Sequence, residues 1–233
     1  MSLELRVLPD TRWAPEVAEE WAQRLNADPE LRMCLPTGRT PAPVYREVSK
    51  RGDFSQATIF LLDEFGLDVG DQGRCDEMLR RDLIAHLAEP PARLHGLDPQ
   101  ADDLRAECSR YEMLIAAGGL ELTLLGLGAN GHLGLNEPGS DPGSPTRVVE
   151  LADTTAEGLD RYGAEGTTDW GLTIGLGRLL QSDEIWLLVT GEHKAGILEQ
   201  TLKGPVSPEV PSSFLRSAEN VVVWADESAA SRL

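Results

Sequence analysis

The chain has 233 residues, of which 41% are hydrophobic and 26% charged, and a formal net charge of −18. This length and apolar content suit a single globular domain with a sizeable core and exclude a disordered chain. The acidity argues against nucleic acid or an anionic membrane as partner, since either needs a basic face, but a small phosphate can still be held by a few local cations and N–H groups.

Strand Glu4–Leu8 is followed by a helix from about Ala14 to Leu25, with Pro15 in its first turn and Val17, Trp21 and Leu25 at helical spacing. Strand Arg32–Leu35 ends in the turn Pro36-Thr37-Gly38-Arg39-Thr40-Pro41, after which Val44, Tyr45 and Val48 predict a helix. Strand Thr58–Leu62 runs into Asp63-Glu64-Phe65, and helices are predicted around Glu77–Leu87 and Asp102–Ala117. Strand Leu120–Leu125 leads into a glycine-rich turn. Strands at Thr146–Leu151, Leu172–Leu176, Glu184–Val189 and Asn220–Trp224, and a helix at Lys194–Leu202, complete the chain. Strands alternating with helices predict an α/β fold: a mostly parallel central sheet with helices on both faces, Rossmann-like, in one domain spanning 1–233. The polar stretch Ala152–Asp169 is long for a connection and is expected to be a lid.

No apolar run approaches the roughly 18 residues of a membrane span, and no basic-then-apolar leader pattern is present. Cys34, Cys75 and Cys108 are odd in number and lack a CxxC pair, so free thiols and a cytoplasmic location are expected.

The most informative segment is Leu124–Ser140, LLGLGANGHLGLNEPGS. Its leucines read as a strand buried on both faces, and Gly126, Gly128 and Gly131 allow a backbone path that side chains would block. His132 and, five residues on, Glu137 then sit on irregular backbone at the end of that strand, where open α/β sheets keep their ligands. Gly126–Gly131 also matches GxGxxG, but a dinucleotide site needs a helix opening inside the glycines, and Gly134 and Asn136–Gly139 break one. A carboxylate within reach of an imidazole fixes its tautomer and favours its charged form, which suits acid–base catalysis; the alternative is a hydrogen-bonded structural histidine. Asn130 can hydrogen-bond but brings no charge, and the other histidines have no ligand spacing around His132, so no metal is expected.

Asp63 and Glu64 end another strand. Adjacent carboxylates of different burial have separated pKa values, which suits one of them to proton transfer; the alternative is a solvated turn with Glu64 facing water. Thr37-Gly38-Arg39-Thr40 precedes a helix opening at Pro41 and reads either as an anion-binding turn or as a plain cap by Thr40. Arg161 and Lys194 are candidate further cations for the same phosphate.

Taken together and in this order, these pieces resemble the glucosamine-6-phosphate deaminase (isomerase) family, which shares its fold with 6-phosphogluconolactonases and ribose-5-phosphate isomerases. Thr37–Pro41 resembles that family's TGxTP turn, Leu62–Phe65 its MDEY-like segment, and Gly128–His132 with Asn136–Gly139 its GH…NEPG block; Thr146-Arg147, Arg161-Tyr162, Leu172–Gly175 and His193–Ala195 follow in the same order. The resemblance implies a cofactor-free conversion of glucosamine 6-phosphate and water to fructose 6-phosphate and ammonia, in a monomer or small homo-oligomer. It implies that His132 opens the sugar ring, that Glu137 and Asn130 orient the imidazole, and that Asp63 takes the C2 proton and returns one at C1. It also implies that Thr37, Gly38, Arg39, Thr40, Arg161 and Lys194 hold the phosphate. Asn130 stands where some relatives have Asp, which weakens the support for a protonated His132, and Arg39 is bulkier than the residue usual in the turn. The residues leave two other readings open: a 6-phosphogluconolactonase, or a catalytically inactive sugar-phosphate-binding regulator.

Overall fold

The buried apolar runs become parallel strands. The computed structural model describes residues 3–66, 69–156, 159 and 166–233. Its central sheet contains β1 (Leu3–Leu8), β2 (Arg32–Leu35), β3 (Thr58–Leu61), β5 (Arg93–His95), β6 (Leu122–Gly126), β9 (Glu184–Val189) and β10 (Val221–Asp226). They lie in the order β1-β10-β9-β6-β2-β3-β5 and all pair in parallel. A second, antiparallel sheet carries β4 (Asp63–Phe65), β8 (Trp170–Thr173) and β7 (Arg147–Glu150) in the order β4-β8-β7. The α/β class and the mostly parallel central sheet are as expected; the small antiparallel sheet is an addition.

Helices α1 (Asp10–Ala27), α2 (Pro41–Val48), α3 (Cys75–Asp82), α4 (Leu104–Ala116), α5 (Asp153–Ala156), α6 (Leu176–Leu179) and α7 (Ala195–Lys203) supply the flanking layers. One cluster of buried side chains joins α1, α2 and α3 to the sheet through Trp21, Leu25, Tyr45, Leu79 and Trp186. Another joins α4 and α7 to it through Phe60, Tyr111, Ile115, Leu187 and Leu198. Close packing on both faces is why the strands carry near-continuous apolar runs.

Several boundaries move. Helix α1 opens at Asp10, so Pro15 lies inside it, past the first turn where a missing N–H is free of cost. The helix expected at 77–87 opens at Cys75 and stops at Asp82, followed by one 3₁₀ turn at Ile84–His86. The strand expected at 172–176 is Trp170–Thr173, and Leu176–Leu179 is a short helix. Of the expected lid, residues 157, 158 and 160–165 lie outside the described residues.

Reading outward from β2, the chain passes to β3 and β5 on one side, while β6, β9 and β10 lie on the other. This is the point where the winding direction changes, and ligands of open α/β sheets sit there, beyond the carboxyl ends of the strands. The segments that follow β2, β3, β6 and β9 all meet at that place.

Candidate active site

A cavity of about 270 Å³ opens there, walled by Pro36–Pro41, Leu62, Asp63, Phe65, Gly126–Asn130, His132, Gly134, Leu135, Thr155, His193 and Lys194. Eight of the residues singled out in the sequence therefore face one space: Thr37, Gly38, Arg39, Thr40, Asp63, Asn130, His132 and Lys194. Glu137 lies behind His132. Arg161 falls outside the described residues.

The loop after β6 places the imidazole. Gly128 N–H donates to the His132 carbonyl at 3.0 Å and Gly131 N–H to the Gly128 carbonyl at 3.1 Å, closing a tight turn. A Cβ on Gly128 would lie 2.2 Å from the His132 ring, so only glycine lets the ring pack against this backbone. Asn130 Oδ1 accepts from His132 N–H at 3.1 Å. Glu137 Oε2 accepts from Asn130 Nδ2 at 2.8 Å and lies 3.2 Å from His132 Nδ1, while Oε1 accepts from the Thr155 hydroxyl at 2.5 Å. Burial raises the Glu137 pKa, but the His132 bond and charge and the Thr155 and Asn130 bonds outweigh it and hold the carboxyl below its ordinary 4.5. An ionised carboxylate only accepts, so Nδ1 carries the proton and Nε2 is left for the cavity.

The loop that follows is fixed by the fully buried Asn136. Its Nδ2 donates to the carbonyls of Leu133 and Ile174, both at 2.9 Å, and its Oδ1 accepts from Arg147 Nη1 at 2.7 Å. Asn136 thus ties the His132 loop to the second sheet.

Asp63 reaches the cavity because the chain leaves the central sheet at Leu62 and pairs with β8 as β4, Asp63 opposite Thr173. It is 9% exposed, and burial raises its carboxyl from 3.8 to about 6, against a downward pull from the Cys75 thiol and the His132 charge. Gly134, at φ 59°, passes so close that a Cβ would come within 3.2 Å of Asp63 Oδ2. The loop bearing His132 therefore also abuts Asp63.

Glu64 does not face water, as one reading of the sequence had it. It is fully buried and accepts from Phe65 N–H at 3.0 Å, Cys75 N–H at 2.9 Å and Asp76 N–H at 3.2 Å, capping α3 from another part of the chain. Burial pushes its carboxyl up to about 7 despite these donors. Alternation along β4 sends the two neighbouring acids to different surroundings.

The turn after β2 brings Thr37, Gly38, Arg39 and Thr40 to the cavity, and α2 opens directly after it at Pro41. Thr40 makes no side-chain cap bond, so the plain capping alternative fails. Lys194 ends the 3₁₀ turn that precedes α7 and also lines the cavity. Among the described residues no group of three or more His, Cys, Asp or Glu side chains is placed to hold a metal ion, and no helix is long and apolar enough to cross a membrane. All three cysteines are free and buried.

Sequence reasoning passed over Thr155 and Cys75. Thr155 lies in the segment expected to be a lid, and its position there gave the one available hint. Cys75 gave none, since its contact with Asp63 spans twelve positions.

A family model described as glucosamine-6-phosphate isomerases/6-phosphogluconolactonase matches residues 10–224. Glucosamine-6-phosphate deaminases of Rhodopirellula baltica and Clostridioides difficile are 38% and 36% identical, over 99% and 94% of this chain and 96% and 91% of theirs. Among solved structures, a monomeric glucosamine-6-phosphate deaminase matches with a TM-score of 0.92 at 31% identity over the whole of both chains. A 6-phosphogluconolactonase from Thermotoga maritima, 20% identical with a TM-score of 0.77 over 97% of this chain and 99% of its own, shares the fold.

Proposed function

Because the chain belongs to the glucosamine-6-phosphate isomerase/6-phosphogluconolactonase family, we propose that it is a glucosamine-6-phosphate deaminase, converting glucosamine 6-phosphate and water to fructose 6-phosphate and ammonia. The observation that carries this reading is the meeting of Asp63 with the His132–Glu137 couple on one cavity that also holds the threonine turn and Lys194. A lactonase needs a base for water; it has no use for a second, separately tuned carboxylate.

The phosphate sits against Thr37, Gly38, Arg39 and Thr40 in the turn that leads into α2, together with Lys194, and the family resemblance assigns Arg161 to the same group. Anion binding at a helix start with local cations needs no overall positive charge. Holding this remote group orients the sugar carbons over the acids. His132, its Nδ1 proton held by Glu137, uses Nε2 to move a proton between the ring oxygen and the C1 hydroxyl, which opens the ring. Asp63 then removes the C2 proton to give an enolamine and returns a proton to C1. The resulting imine at C2 takes up water and releases ammonia, leaving the ketose. A carboxyl titrating at about 6 is ionised at neutral pH yet more basic than an ordinary aspartate, as a proton shuttle between two carbons requires.

Purified protein incubated with glucosamine 6-phosphate should release ammonia and fructose 6-phosphate in equal amounts. Asp63→Asn should lower that rate by ~10²-fold or more. Absence of both products at high enzyme concentration refutes the reading, and hydrolysis of 6-phosphogluconolactone that survives Asp63→Asn replaces it.

A further inference from the structure

We propose that Cys75 is a positioning residue for Asp63, its S–H group holding Oδ1. This rests on the reading of Asp63 as the base. The thiol donates to Oδ1 with sulfur and oxygen 3.6 Å apart, inside the reach of a sulfur hydrogen bond. The Thr37 side chain lies near the same sulfur and draws its pKa downward. Cys75 therefore lies beside both the acid and the turn that lines the cavity.

The sulfur is held in place from behind. Cys75 is the first residue of α3, 1% exposed, and its N–H is bound by Glu64 Oε1 at 2.9 Å. Glu64 belongs to β4, the strand that carries Asp63. The strand thus grips the helix through one acid, and the helix steadies the other acid through the thiol. With Oδ1 occupied, Oδ2 is the oxygen beside Gly134, on the loop that bears His132.

The chemistry of sulfur suits this place. Burial, with the charges of Glu64 and Asp63 adding to it, lifts the Cys75 thiol well above 9, so it stays protonated and remains a donor. A thiol is also a weak donor. It orients the carboxylate without the large downward pull on its pKa that a hydroxyl would bring. Among the described residues, the other titratable groups that bear on Asp63 are His132 from the loop after β6, Cys34 from β2, Tyr45 from α2, Tyr111 from α4 and its neighbour Glu64. Burial keeps Cys34 and both tyrosines neutral, and Glu64 titrates at the start of α3, outside the cavity lining.

The test compares the whole protein with Cys75→Ser and Cys75→Ala in two readouts. One is the acid limb of kcat/KM with glucosamine 6-phosphate; the other is the titration of the Asp63 side-chain carboxyl by ¹³C NMR, assigned with Asp63→Asn. Loss of the donor in Cys75→Ala should move both readouts up by about half a unit to one unit, and the stronger donor in Cys75→Ser should move both down by a similar amount. Opposite displacements from two small substitutions are something a packing role does not produce. An Asp63 titration within about 0.2 of wild type in Cys75→Ser overturns the inference, whatever either variant does to stability. If wild type releases no ammonia, the functional reading falls, and the NMR titration still decides the role of Cys75.

Discussion

Replacing Asp63 by asparagine should stabilise the protein at neutral pH, by an amount that depends on pH in a specified way. The carboxyl is 9% exposed, and burial carries it from 3.8 to about 6. At about 1.4 kcal/mol for each tenfold change in proton affinity, keeping this group ionised in the folded chain costs about 3 kcal/mol above both pKa values. The sign follows from proton counting. Between pH 4 and 6 the folded state binds the proton that the unfolded state has released, so stability falls as pH rises through that window. Asparagine has the same shape, still offers an oxygen to the Cys75 thiol, and does not titrate. The stability difference between Asp63→Asn and wild type should therefore be near zero at about pH 3 and reach about 3 kcal/mol in favour of the variant by about pH 7.5. Urea unfolding at several pH values, with unchanged dependence on denaturant, measures it, and the remaining titrations cancel in the difference. A difference that is flat with pH, or that turns against the variant at high pH, refutes the account of Asp63 as a buried, costly charge. The same variant should be inactive, so stability and turnover move in opposite directions.

Glu137→Gln keeps the shape but loses the charge and one of two acceptor oxygens serving His132, Asn130 and Thr155; kcat for ammonia release should fall ~10²-fold or more with a smaller change in KM. Glu64→Ala leaves the N–H groups of Phe65, Cys75 and Asp76 without their acceptor in the interior. It should cost about 2–4 kcal/mol in denaturant unfolding, whereas a surface glutamate would cost next to nothing. Gly128→Ala puts a methyl where the His132 ring lies, so it should abolish turnover while the far-ultraviolet circular dichroism stays that of the wild type.

The parts of this molecule that were legible in the sequence are those whose determinants are close together in it. Helix α4 was readable from its apolar spacing, and Asp103 caps it by accepting from Arg105 and Ala106. Asn130, His132 and Glu137 lie within eight positions on a glycine-rich loop, so their contact was a local inference. β5 escaped notice because Arg93, Leu94 and His95 make a three-residue edge strand with one apolar side chain. β4 read as the end of the preceding strand, or as a solvated turn, because two adjacent acids in a strand of their own make sense only with partners elsewhere. Those partners are the start of α3 for Glu64, and Cys75, Gly134 and the cavity for Asp63. Burial of a charge is a tertiary property, and no local pattern displays it.

The pairing of Asp63 with Thr173 and of Glu64 with Leu172 has a consequence for inheritance. Two consecutive codons specify chemically similar acids, and the ladder between β4 and β8 decides which one faces the cavity and which one braces a helix. Sliding that ladder by a single step exchanges the two assignments without altering any side chain. A one-residue insertion or deletion just before residue 63 would therefore silence the protein as thoroughly as erasing the aspartate, while its composition stayed nearly the same.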